Sequence, residues 1–123
     1  MQMTSSFFRF IQRYEEVILS TKQCVSDVMY GANYATTLTF TLPTVVNSHV
    51  GDKISIVGIG AGGWALAQNA TQTIRVGSTW SLVGTGGSIA SSDMSDCVDL
   101  VCIVEGTTWI ATSMVGTILV ATS

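Results

Sequence analysis

Alternation of apolar and polar residues is the clearest pattern in the chain, and it begins at about residue 35. In the segment "TTLTFTL" (36–42), leucine and phenylalanine occupy one set of alternate positions and threonine occupies the other. Successive side chains of a β-strand point to opposite faces of its sheet, so this segment is predicted to be a half-buried strand. Pro43, the only proline, is predicted to end it.

Further strand-like segments recur roughly every 8–12 residues, with glycine turns between them. They are "KISIVG" (53–58), "QTIRVG" (72–77), "CVDLVCIVE" (97–105), and a closing pair, "GTTWIATS" and "VGTILVATS", around Gly116. The near-continuous apolar run at 97–105 is typical of a strand that is buried on both faces. Together these segments predict an all-β fold, a compact antiparallel sandwich or barrel-like domain.

The N-terminal residues follow a different pattern and are predicted to be an arm (residues 1–13) ahead of a single β domain (residues 14–123). Apolar residues at helical spacing allow an amphipathic helix over about 5–19. Residues 17–28 are rich in Thr, Ser, Val and Cys, which instead favour an extended arm that pairs at a sheet edge. Both interpretations stay open. The arm is predicted to dock on another subunit or protein, with these candidate contact residues: Phe7, Phe8, Phe10 and Ile11.

The composition favours burial against other chains. Of the 123 residues, 47% are hydrophobic and only 11% are charged, whereas an average soluble domain has about 25% charged residues. A small monomer would leave much of this apolar surface in water, so a homo-oligomer is predicted. The apolar runs are shorter than the roughly 20 residues of a membrane-spanning helix, so no membrane association is expected. With a net charge of −3 and no cluster among its five Lys and Arg residues, the chain is not expected to bind nucleic acid directly.

The glycines of "KISIVGIGAGGW" (53–64) have the spacing G-x-G-x-x-G of a dinucleotide-binding loop, at Gly58, Gly60 and Gly63. That motif also needs a helix from the third glycine, a second parallel strand, and an acidic residue about 20 positions later. Polar residues and Gly77 interrupt any long helix, and no acidic residue lies between Asp52 and Asp93. The glycines are therefore predicted to form a bend between two strands. Without side chains there, another backbone can approach closely, including that of a symmetry-related copy.

No catalytic, cofactor-binding or metal-binding residue is predicted. His49, the only histidine, lies in the polar segment "NSHVGD" (47–52) and is interpreted as a solvated turn residue. Asp93, Asp96 and Asp99 lack the spacing of a calcium loop. The three cysteines include no C-x-x-C pair and are interpreted as buried free thiols in a reducing compartment: Cys24, Cys97 and Cys102.

The three tryptophans divide into two groups. Trp64 and Trp109 lie within apolar patterns and are predicted to pack in a core or a subunit interface. Trp80 lies in the turn-rich segment "GSTWSLVG" (77–84) and is the best candidate for an exposed aromatic residue.

Several segments together resemble a small β module of bacteriophage and other viral fibre and capsid-surface proteins. They are "VMYGANYATTLTFTLP", "GAGGWALAQNATQTIRVG", "GTGGSIASS" and "DCVDLVCIVEGTTWIATSMVGTILV", and the resemblance spans about residues 16–123. Thr71, Asp99 and Thr117 depart from the module's usual glycine, glutamate and asparagine.

The resemblance implies a homotrimeric virion protein, made in the host cytoplasm, without enzymatic activity or a cofactor. The expected form is a capsid decoration or cement protein, such as a head knob or head fibre. Its partners would be other copies of itself and the major capsid protein or another virion protein. The alternative is a tail-fibre receptor-binding module for a host surface glycan, with these candidate contacts: Trp80, Asn69 and Ser92.

Overall fold

A computed structural model describes residues 12–122, which form two β-sheets packed face to face. One sheet has seven strands in the order β1-β3-β5-β10-β11-β7-β8, and the other has five in the order β12-β9-β6-β4-β2. A short 3-10 helix spans Val45–Asn47. The strands are β1 (Arg13–Val17), β2 (Thr21–Gln23), β3 (Val28–Ala32), β4 (Leu38–Thr41), β5 (Lys53–Gly58), β6 (Trp64–Ala67), β7 (Thr73–Val76), β8 (Thr79–Trp80), β9 (Ser88–Ser91), β10 (Cys97–Val104), β11 (Thr108–Val115) and β12 (Leu119–Ala121).

The predicted all-β sandwich is confirmed, but its sheets are mixed rather than antiparallel. The first six strands alternate between the two sheets. Each time the chain comes back to a sheet, the new strand therefore runs in the same direction as the previous strand of that sheet. As a result β1, β3 and β5 run parallel in one sheet, and β2, β4 and β6 run parallel in the other. These strands form three stacked coils. The prediction of antiparallel pairing was wrong here because parallel strands need a crossover connection, and the opposite sheet supplies it.

The second half of the chain completes both sheets, and its strand pairs are antiparallel except for β7 and β11, which run parallel. In the seven-stranded sheet, β7 is the next strand after β5 along the chain, but the two are not neighbours. The hairpin β10–β11 lies between them. In the other sheet, β9 pairs with β6 and β12 pairs with β9. The predicted closing pair around Gly116 is therefore wrong. The two strands meet at Gly116, but β11 and β12 belong to different sheets.

The core lies between the sheets and is built mainly from alternate residues of the strands other than β2, β8 and β12. Leu38 and Phe40 of β4 and Leu42 just after it are fully buried, as the alternation predicted. The predictions that Trp64 and Trp109 are packing residues are also confirmed, since both are fully buried. The other large, fully buried side chains are Tyr30, Ile54, Ile56, Leu66, Ile74, Ile89 and Leu100.

Strand β10 is buried on one face only, so the prediction of burial on both faces was wrong. Val98, Leu100 and Cys102 face the core, whereas Asp99 and Ile103 are exposed. Apolar residues at outward positions, such as Val101, made this half-buried strand look continuous in the sequence. Cys97 and Cys102 lie on opposite faces of β10. All three cysteines are free, as predicted, but the predicted burial holds only for Cys24 and Cys102, because Cys97 points outward and is partly exposed.

The described part of the N-terminal region is extended. β1 is the edge strand of the seven-stranded sheet, and it begins one residue before the predicted domain start at 14. The helix interpretation is thus wrong for residues 13–17, and pairing at a sheet edge is confirmed there. A salt bridge between Glu15 of β1 and Lys22 of β2, 2.7 Å long, spans the two sheets beside this edge. Residues 12, 18 and 19 are also not helical, and residues 5–11 of the predicted helix lie outside the described residues.

Candidate functional site

One end of the sandwich, here called the glycine end, contains the bend between β5 and β6. It is built from the links at 18–20, 33–37, 59–63 and 92–96. A Cβ atom on Gly60 would lie 2.6 Å from the backbone nitrogen of Tyr34, and one on Gly62 would overlap the carbonyl oxygen of Thr36. Gly63 has a φ of +70° and is packed as tightly against Ser91. The predicted side-chain-free bend is confirmed, and the backbones that approach it belong to the same chain.

The opposite end, here called the amide end, is held by side-chain amides from the turn after β6. The buried Gln72 donates through Nε2 to the carbonyl oxygens of Pro43 (3.0 Å) and Gly106 (3.3 Å). Its Oε1 accepts from the backbone N–H of Asn69 at 2.9 Å. Gln68 Nε2 donates to the carbonyl oxygens of Gln72, Leu82 and Gly84. These bonds tie four separate loops together.

The three residues predicted to contact a ligand do not come together. Asn69 lies at the amide end, where its Nδ2 donates to the carbonyl oxygens of Leu42 and Pro43. Ser92 is exposed at the glycine end, just after Ser91, which pairs with the first residue of β6. Trp80 lies on β8 at an edge of the other sheet. Their role as ligand contacts stays a prediction.

Trp80 is exposed, as the sequence predicted, with 51% of its surface accessible. The guanidinium carbon of Arg75, its cross-strand neighbour, lies 3.7 Å from the centroid of the indole ring. This cation–π contact fixes the ring and covers one of its faces. Leu82 and Val83, two and three residues after Trp80, are also exposed.

The predicted docking residues, Phe7, Phe8, Phe10 and Ile11, lie outside the described residues. The first coil, which follows them directly, exposes large apolar side chains where β1 turns into β2. Ile18 is 64% exposed and Leu19 is 67% exposed. Tyr14 and Val25 of the same coil are also exposed. An apolar surface therefore begins within a few residues of the predicted docking segment.

His49 is exposed in a turn at the amide end, and its ring is paired with Glu105. His49 Nδ1 lies 2.5 Å from the Glu105 carboxylate. This hydrogen bond is the main cause of both pKa shifts in the pair, because it raises the pKa of His49 and lowers the pKa of Glu105. Asp52 accepts instead from the Ser26 hydroxyl at 2.9 Å and from the backbone N–H of His49. The imidazole therefore does not link a serine to Asp52, which a Ser-His-Asp relay would require.

A polar groove of about 410 Å³ lies on the outer face of the seven-stranded sheet. Cross-strand pairing aligns Met29, Ser55, Asp99 and Ser113 in a row over four strands. Asp99 accepts from the hydroxyls of Ser55 (2.5 Å) and Ser113 (2.6 Å). Asp99, which interrupts the apolar run of β10, is the one signal of this site in the sequence. It was missed because the strand was predicted to be buried on both faces, which left no exposed face for a site.

Comparison with known proteins leaves the resemblance without independent support, because no protein-family model and no curated protein matches the chain. Within residues 12–122, no helix is long and apolar enough to cross a membrane. Nor does that part of the chain hold a group of three or more His, Cys, Asp or Glu side chains arranged for a metal ion.

Proposed function

We propose that the protein is a non-catalytic structural component of a bacteriophage virion, a capsid decoration protein that forms homotrimers. In this role residues 1–11 and the first coil attach the β domain to the major capsid protein or another virion protein. The observation that supports the proposal is the exposed apolar surface of the first coil, at Ile18 and Leu19. Contiguous exposed apolar residues mark interaction sites in soluble proteins.

The strand edges beside this surface support the same role. β1 and β2 are the end strands of their sheets, and no other strand of residues 12–122 pairs with their outer edges. Such edges present backbone N–H and C=O groups to which another chain can bind. The resemblance to viral surface modules and the low charge of the chain are consistent with assembly. Copies of the chain would bury further apolar surface in the trimer.

Attachment and trimer formation are tested separately. Light scattering on the purified full chain should give three copies per particle, and a monomer at every concentration would refute the trimer. Deletion of residues 1–11 should abolish binding to virions and leave the trimer intact. Gln12 is retained because its Oε1 accepts from the Ser55 hydroxyl at 2.9 Å.

The first coil is tested with the double variant Ile18→Asp, Leu19→Asp. Two charges on this surface should reduce binding to virions at least about tenfold, since a buried, unpaired charge costs several kcal/mol. Val46→Asp is the matched control, because Val46 is 77% exposed at the amide end. Equal binding by the double variant and the control would show that the first coil is not the docking surface.

A second candidate function, recognition of a host surface glycan by a tail fibre, is favoured by the exposed Trp80. Its ring is held by Arg75 and leaves one face free for a sugar. Trp80→Ala should then abolish binding to host cells and leave attachment to the virion unchanged. Loss of virion attachment in this variant would instead place Trp80 in the assembly interface.

A further inference from the structure

The groove on the outer face of the seven-stranded sheet has more hydrogen-bond acceptors than its own donors satisfy. The Ser55 hydroxyl has one proton, yet it lies 2.5 Å from Asp99 Oδ1 and 2.9 Å from Gln12 Oε1. It can donate to only one of them at a time. Each Asp99 oxygen can also accept more than the single serine bond that it receives. The groove therefore has room for donors from outside.

The charges of the groove favour a neutral ligand. Lys53 lies next to this row, since it pairs with Val101 while Ser55 pairs with Asp99. Within residues 12–122 the salt bridges are Glu15–Lys22 and His49–Glu105, so the Lys53 ammonium and the Asp99 carboxylate are not paired with each other. An anion would meet Asp99 and a cation would meet Lys53. A neutral ligand with both donors and acceptors can use both groups.

The remaining walls provide apolar contact. Met29 lines the groove at one end of the row, Val101 lines it beside the row, and Thr112 lines it from β11. A volume of about 410 Å³ lies within the range of small-molecule sites, which combine apolar walls with a few placed polar groups. A sugar ring matches this combination of apolar walls and polar groups, because it carries neighbouring hydroxyls and has apolar C–H faces.

We propose that this groove binds a neutral saccharide. Asp99 and Gln12 accept from sugar hydroxyls, Lys53 donates to a sugar oxygen, and Met29 and Val101 contact the C–H face of the ring. The site is separate from Trp80 and does not depend on the assembly function proposed above.

The test is titration of the labelled full chain with methyl glycosides of glucose, galactose and mannose, followed by amide NMR. At least one should shift the amide signals of Ser55, Asp99 and Thr112. Asp99→Asn should weaken that binding about tenfold or more, since it replaces a charged acceptor. Asp93→Asn, an exposed carboxylate at the glycine end, is the matched control and should bind as the unchanged protein does.

Three results would overturn the proposal. They are no shift at the groove with any of the sugars, equal binding by Asp99→Asn, and tighter binding of inorganic phosphate or ethylamine than of the sugars. The spectrum of each variant reports its folding, and Ser55→Ala replaces Asp99→Asn if the latter does not fold. The same titration with the free sugars distinguishes two kinds of natural ligand. Binding of the free sugars as tight as that of the methyl glycosides indicates a monosaccharide ligand, and tighter binding of the methyl glycosides indicates the terminal sugar of a glycan. Trimer formation, measured by light scattering, should be the same in both aspartate variants, so failure of either proposal is seen separately.

Discussion

The two ends of β6 solve the same packing problem in opposite ways. At the glycine end the chain removes side chains, so that the link at 59–63 lies directly on the backbones of Tyr34, Thr36 and Ser91. At the amide end it adds side chains, so that Gln72 supplies donors to carbonyl oxygens of other loops. A backbone can fill space without side chains, but buried carbonyl groups need partners. Each end therefore has its own point of weakness.

The same comparison shows how a motif can indicate the wrong chemistry. The glycine spacing matches a nucleotide-binding loop, yet its glycines allow close backbone contact within one chain. The three-coil arrangement explains this, because each link between the sheets stacks on the link of the preceding coil. Gly60 and Gly62 each donate a backbone hydrogen bond to the coil before them, to Ala32 and Tyr34.

The largest loss of stability is expected from Gly62→Ala. The new Cβ atom would overlap the carbonyl group of Thr36, which is backbone and cannot rotate away. Overpacking of this kind costs about 3 kcal/mol, measured as the change in the free energy of unfolding in urea. Gly77→Ala is the control, because Gly77 has a φ of +61° and open space around its Cβ position.

That control should lose only about 1 kcal/mol, the cost of a left-handed backbone for alanine. It separates steric overlap from backbone conformation, since Gly62 does not have a positive φ. If Gly77→Ala were as destabilising as Gly62→Ala, close packing of the coils would not be the reason for the glycines.

At the amide end, Gln72→Ala should be the most damaging single change. It removes both donors to Pro43 and Gly106 and leaves the N–H of Asn69 without its acceptor. The Pro43 carbonyl keeps its bond from Asn69 Nδ2, so the Gly106 carbonyl and the Asn69 N–H are the groups left unpaired. At about 1–1.5 kcal/mol for each, near the lower end of the usual cost, we expect a loss of roughly 2–3 kcal/mol in unfolding free energy.

Gln23→Ala is the matched control for the amide end. Gln23 also donates to a carbonyl oxygen, that of Leu42, but its side chain is exposed, so water can replace it. Its removal should cost less than about 1 kcal/mol. A loss as large as that of Gln72→Ala would mean that burial is not what makes the amide end depend on its glutamines.

The sequence predicted local features of this fold well and its pairings poorly. The strand at 53–58 and the inward positions of Leu38 and Phe40 follow from side-chain alternation, which depends only on near neighbours. Nothing local indicates that Leu38 pairs with Trp64 or that the two strands are parallel. Direction and partner are set by the coil path, which depends on where each link crosses between the sheets.

The candidate site shows the same limit. Exposure of Trp80 was predictable because turn residues surround it. The polar groove was not, because Ser55, Asp99 and Ser113 are far apart in the chain and meet only through cross-strand pairing.

The smallest effect expected is the pH dependence of the exposed contact at the amide end, His49–Glu105. The raised pKa of His49 means that its contribution is complete below the ordinary value of 6.5 and is lost as the pH rises through the pKa in the folded protein. The lowered pKa of Glu105 means that its contribution is complete above 4.5 and is lost as the pH falls through its folded value. The pair should therefore hold residues 44–52 to the β10–β11 turn best between pH 4.5 and 6.5.

Titration of the His49 ring by NMR checks this prediction. Glu105→Gln should return the pKa of His49 toward 6.5, because Glu105 is the main cause of the raised value. Asp52→Asn should lower the pKa of His49 less, because Asp52 is the weaker cause. Equal shifts in the two variants would show that His49 responds to the general negative charge of the turn rather than to its bond with Glu105.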